Sequence, residues 1–155
     1  MNKMEVKENK KLVLKQVLVK ELKNIQLDLV DDEINKFANQ IKLLKVQAFG
    51  PLIVKNPGVN VHEDGSMTMD YELIVQAHDY KQYKHSFTTK ELLKCENCVY
   101  VRYEGKPEDV HYAHTKLDLY FYEHGLVADG STINVYVSEA PDYIVVDIFK
   151  PVKEL

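Results

Sequence analysis

The sequence predicts an α+β domain built on an antiparallel sheet, and three observations predict it. Two segments, Ile34 to Ala48 and Val110 to Phe121, repeat apolar residues at the period of an α-helix. Several others, Met67 to Val75 the longest, alternate apolar and polar residues at the period of a strand. The order strand, helix, strand, strand then occurs twice, over about residues 17–77 and about residues 98–150. Each half would present a sheet face needing cover, and one helix per half supplies it. The expectation is a single domain over residues 1–155 with pseudo-twofold symmetry and its helices on one side.

Each element has a local reason. Residues 1–16 read as a basic N-terminal arm, of which residues 12–16 are ambiguous, since Leu14, Leu18, Leu22 and Ile25 also suit a helix. Ile25, Leu27 and Leu29 alternate with Gln26 and Asp28, as in a half-buried strand. Asp31 or Asp32 can cap the first helix, whose apolar stripe is Ile34, Phe37, Ile41, Leu44 and Ala48. Gly50 and Pro51 are read as its stop, since one tolerates the left-handed conformation and the other cannot continue a helix. Leu52 to Val54 is a short strand, and NPGVNVHEDGS after it is turn-rich.

Residues 78–97 connect the halves, with Lys90 to Lys94 a candidate helical turn. Cys98 to Tyr103 is a strand, and Pro107, Glu108 and Asp109 suit a helix start. Val110, Ala113, Leu117 and Phe121 make that helix's buried stripe, and Gly125 ends it. Thr132 to Val137 and Tyr143 to Phe149 are strands joined by the turn SEAPD.

Composition narrows the function. With 45% hydrophobic and 28% charged residues the chain is an ordinary globular one. It has no apolar run of about 18 residues and no secretory signal, and its two cysteines make no disulfide framework, so a cytoplasmic protein with no membrane contact is expected. Residues 1–26 hold seven Lys and three Glu, a charge of +4, which leaves −8 for the rest of a chain of net charge −4. No aromatic or Arg interleaves those lysines and the body is acidic, so no nucleic-acid partner is expected.

The second half resembles the GyrI-like (gyrase-inhibitor-like) effector-binding domains, among them free-standing proteins of Gram-positive bacteria. Tyr103-Glu-Gly105 running into the helix from Tyr112 to Gly125 is similar to the family's strand–Gly–helix–Gly-Leu passage. Asn134-Val-Tyr136 stands at its Glu-x-Tyr position, and Asp147-Ile-Phe-Lys-Pro151-Val resembles its closing segment. The likeness covers about residues 98–153, and residues 17–77 in element order and in Phe49-Gly-Pro51. It implies two pseudo-symmetric halves with a cleft between them. In many members aromatic walls and a buried glutamate bind organic cations there, and a few members hydrolyse reactive small molecules with carboxylates and Tyr.

This chain carries Asn134 at the glutamate position. A buried carboxylate attracts a cation strongly, whereas an amide offers only dipoles. A neutral ligand is therefore expected.

The remaining constellations are read as structural. Cys95-Glu-Asn-Cys98 leads into a strand, where no helix N-terminus stabilises a thiolate, and no second pair completes a zinc site. His111, His114 and Asp118 share one helix flank, but nothing else completes a metal sphere, so no metal and no cofactor is expected. Tyr112, Tyr120 and Tyr122 cannot all be buried in one direction from one helix, which leaves aromatic surface for a ligand or partner.

The expectation is a non-enzymatic binding protein for a small organic molecule, contacted by Asn134, Tyr136, Tyr120, His114, Phe49 and Glu72. The alternative is an interaction protein whose aromatic surface meets a partner protein or a second copy. A hydrolase using Glu72 or Asp147 with Tyr136 is the other.

Overall fold

A computed structural model describes residues 4–153. The chain is α+β, an antiparallel assembly of six strands and two α-helices. Its contacts divide into two units, a central one (Leu14–Leu93) and a terminal one (Met1–Val13 with Lys94–Leu155).

The central unit uses most of β1 (Lys7–Ile25), then α1 (Val30–Leu43), β2 (Ala48–Val61) and β3 (Met67–Ala77). Its strand order is β1-β3-β2, with Val19 opposite Ile74 and Ile53 opposite Ile74 on the other side. The terminal unit uses most of β4 (Thr88–Gly105), then α2 (His111–Glu123), β5 (Thr132–Ala140) and β6 (Tyr143–Pro151), in the order β4-β6-β5. In both, the last strand lies in the middle and runs antiparallel to both neighbours. The outer strands therefore run parallel to each other, and parallel strands need a crossover, which the helix provides.

Several local expectations are corrected. The segment read as a basic arm is strand from Lys7, and Met4 and Val6 pack on the terminal unit's core. The ambiguous stretch within it is also strand, and Val17, Leu18 and Val19 after it are all buried, as covered faces on both sides require. The strand ends at Ile25, and Gln26 to Leu29 is not part of it. Asn24 takes φ +55 at a bulge, its N–H donates to Asp70 Oδ1, and Leu27–Leu29 becomes a 3-10 turn. Such a bulge leaves the ladder locally unpaired and ends the alternation.

Neither aspartate caps α1, which opens at Val30 with Asp31, Asp32 and Glu33 in its first turn near the positive dipole end. Of its stripe only Phe37 is fully buried, edge-on to Phe87 with ring centroids 5.7 Å apart. The helix stops before Gly50, at Lys45. With φ +56 at Lys45, its N–H reaches Lys42 O and that of Val46 reaches Ile41 O. Those are the two bonds of a Schellman cap.

Gly50 instead sits in β2, which continues through the turn-rich segment to Val61. There Val59 and Val61 face Met69 and Met67, and the turn falls later, where Ser66 O accepts from His62 N–H. Lys90 to Lys94 is part of β4, not a helical turn.

The second helix agrees more closely. Pro107–Asp109 forms a 3-10 turn that leads into α2, and Gly125 ends it at φ +65, with Leu126 N–H on Phe121 O. Ala113, Leu117 and Phe121 pack on Val99, Val101 and Tyr103 of β4 and on Ile144, Val146 and Ile148 of β6. Among the described residues no helix is long and apolar enough to cross a membrane.

Candidate ligand site on the helix-covered face of β5

Register places the side chains of β5. In an antiparallel ladder, residues directly opposite share a face. Asn134 lies opposite Ile148, and Tyr136 opposite Val146, both of which belong to the core beneath α2. Asn134 and Tyr136 therefore point toward the helix, while Ile133 and Val135 share the reverse face with Phe149 and Asp147.

Asn134 is half-buried, yet its Oδ1 is fully buried and has no hydrogen-bond partner among the described residues. Leaving such an atom unsatisfied costs about 1–3 kcal/mol. Whichever way round the amide lies, one polar atom faces apolar neighbours. Tyr136, also half-buried, packs on the same core.

His114 comes from the helix. Because α2 starts beside the Gly105–Ile144 end of the sheet and Asp118 reaches Lys150 near the other end, His114 lies level with the middle of β6. Asp118 and Lys150 form an ion pair, and the Lys150 ammonium sits 5.1 Å from the centre of the Phe121 ring. That pairing puts the His114–Asp118 flank of α2 on the same side as β6 and β5, where Asn134 and Tyr136 project.

Burial lowers the His114 pKa; Asp118 pulls it up and Lys150 pushes it further down. Folding thus favours the neutral ring. The stability this contributes is fully present above the unfolded imidazole value of about 6.5, and is lost as pH falls through the depressed folded value. Urea unfolding at about pH 7.5 and about pH 5 is expected to show lower stability in acid, with a shallower decline for His114→Gln. An unchanged slope in the variant would assign the decline to other groups.

The other expected contacts fall elsewhere. Tyr120 lies on the opposite flank of α2. Its hydroxyl pKa is raised by burial and then by Glu8 from the start of β1, and its ring stacks on His124 at 3.9 Å. Lys116, one turn earlier on that flank, donates to Met4 O. Phe49 and Glu72 belong to the central unit. Phe49 stacks on His78 at 4.4 Å, and Glu72 pairs with Lys55 at 3.8 Å. Of the three residues considered for a metal, His111 meets the Tyr112 ring at a tilt of 39° and Asp118 is held by Lys150. Tyr112 and Tyr122 are exposed, so that part of the aromatic surface faces outward.

The proposed pairing of Asp147 with Tyr136 is not formed, because the two lie on opposite faces of the sheet. Asp147 instead accepts from Tyr100 Oη at 2.7 Å and from Arg102 Nε and Nη2 at 2.7 and 3.0 Å. Burial, and then Asp147, raise the Tyr100 pKa, and the same carboxylate raises that of Arg102. The arrangement is a bidentate clamp on the carboxylate. Sequence reading missed this clamp and also Lys150. Lys150 follows Val146 and Ile148 at even spacing, which marks it as facing the helix.

No family model matches the sequence, and no curated protein resembles it significantly. Solved structures do resemble the fold. SAV2435 bound to tetraphenylphosphonium is 11% identical at TM-score 0.58, with 98% of this chain and 94% of that one covered. A hydrolase from Listeria innocua is 14% identical at TM-score 0.51, with 97% and 92% covered. EcmrR, seen in a complex with DNA, is 13% identical at TM-score 0.67; all but 1% of this chain matches 58% of that one. These likenesses show that the chain shares the fold of those structures, in keeping with the GyrI-like resemblance of its second half.

Proposed function

We propose that this chain is a non-enzymatic binding protein for a neutral small organic molecule, engaged on the helix-covered face of β5 by Asn134, Tyr136 and His114. The observation that carries the reading is the buried Asn134 Oδ1, which has no hydrogen-bond partner among the described residues. An apolar surround that strands a carbonyl oxygen is complementary to a ligand bringing one N–H or O–H donor on an aromatic body. SAV2435, a protein of the same fold, is seen with a lipophilic aromatic cation. Here an amide stands where the family's glutamate would, and an amide cannot neutralise such a charge.

The test compares two aromatic compounds of similar size, tetraphenylphosphonium and triphenylmethanol, by thermal unfolding. A ligand that binds only the folded state raises its stability by RT ln(1 + [L]/Kd), about 2.7 kcal/mol at a hundredfold excess over Kd. Triphenylmethanol, neutral and carrying one O–H, is expected to stabilise the chain more than the cation does. Greater stabilisation by the cation would overturn the proposed preference.

A further inference from the structure

The pair Cys95 and Cys98 reads from sequence as two small residues at a strand entrance, but β4 holds them in a way a regular strand cannot. Residues three apart in a strand point to opposite faces and are about 10 Å apart along it. Here the two Sγ atoms are 3.5 Å apart, with the Cys98 thiol donating toward Cys95. The cause is the backbone of Asn97, which takes φ +55. Asn is one of the few residues that tolerates that conformation, and one such residue inserts a bulge that turns the next side chain back.

The bulge is pinned on its far side. Asn97 O accepts from Val152 N–H at 3.1 Å, and Cys98 is paired with Pro151 of β6. The two sulfurs differ in access, since Cys98 is completely buried and Cys95 is half-buried.

We infer that Cys95 and Cys98 form a dithiol–disulfide couple that reacts with low-molecular-weight disulfides. Deprotonated Cys95, the accessible sulfur, attacks one sulfur of the disulfide RSSR. The S–S bond breaks and RS⁻ leaves, to be protonated to RSH. Cys98 then gives up its proton and attacks the Cys95 sulfur, expelling the second RS⁻. The two protein thiols lose two electrons and two protons, and RSSR is reduced to two RSH. The sulfurs must close to about 2.0 Å, a movement of about 1.5 Å within a bulge already folded toward it.

Oxidised glutathione is the probe, added to the full chain and followed by intact mass and thiol titration. The native chain is expected to lose the mass of two hydrogens and both titratable thiols, carry no adduct, and recover with dithiothreitol. Cys98→Ser is expected to accumulate one glutathione at Cys95, with Cys98→Ala as the second variant if the serine does not fold. Cys95→Ser is expected to react at least about tenfold more slowly, because its remaining thiol is buried. A stable adduct on the native chain, or equal reaction rates for the two single variants, would overturn the inference.

Discussion

Leu117→Ala is expected to lower the free energy of unfolding by about 2–5 kcal/mol. Leu117 has no exposed surface, and lies between Ala113 and Phe121 on the stripe that packs on β4 and β6. Truncation removes its burial and leaves a void that close-packed neighbours fill only in part. In a chain of this size the loss corresponds to a fall in Tm of roughly 5–15 °C. The control is Leu119→Ala two residues on, where the side chain is 55% exposed and the expected change is within about 0.5 kcal/mol. Urea unfolding of both variants reads the difference. Equal losses would mean that α2 does not cover the sheet with the face described.

The Asn134 series is expected to separate stability from binding. Asn134→Leu removes the stranded oxygen and fills its space with apolar atoms, so the empty protein should gain about 1–2 kcal/mol. Stabilisation by triphenylmethanol should disappear at the same time, because the acceptor for its hydroxyl is gone. Asn134→Glu should act the other way. A carboxylate placed among Ile148, Val146 and Tyr136 lowers the stability of the empty protein by about 1–3 kcal/mol. It should also make tetraphenylphosphonium the better ligand. Residues that hold a polar atom unsatisfied in the empty state commonly show this exchange of stability for function. An Asn134→Leu protein that is less stable than the wild type, yet still binds triphenylmethanol, would remove Asn134 from the site.

Much of this was open to reading in the sequence because it depends on local periodicity. The order of elements, the buried stripe of α2, the Gly125 stop and the shared side of Asn134 and Tyr136 all follow from 3.6- and 2-residue repeats and from glycine's tolerance of positive φ. So does the absence of a carboxylate at position 134, which sets the expected ligand charge.

What only the tertiary structure decided depends on partners far away in sequence. Residues 12–25 suit a helix or a strand alone; pairing with β3 and burial on both faces make them strand. Non-glycine left-handed residues shape the long strands at Asn9, Gln16, Asn24 and Asn97, and Lys45 ends α1. Their conformations cost energy locally and are held by the ladders and caps around them, so no local signal announces them. Asp147 looked available as a carboxylate until the register of β4 against β6 set Arg102 beside it. Tyr120 and His114, six residues apart on one helix, were parted because its two flanks meet different strands, β1 on one side and β6 on the other. Periodicity tells which side chains leave the surface; the long-range pairing of strands decides what they meet there.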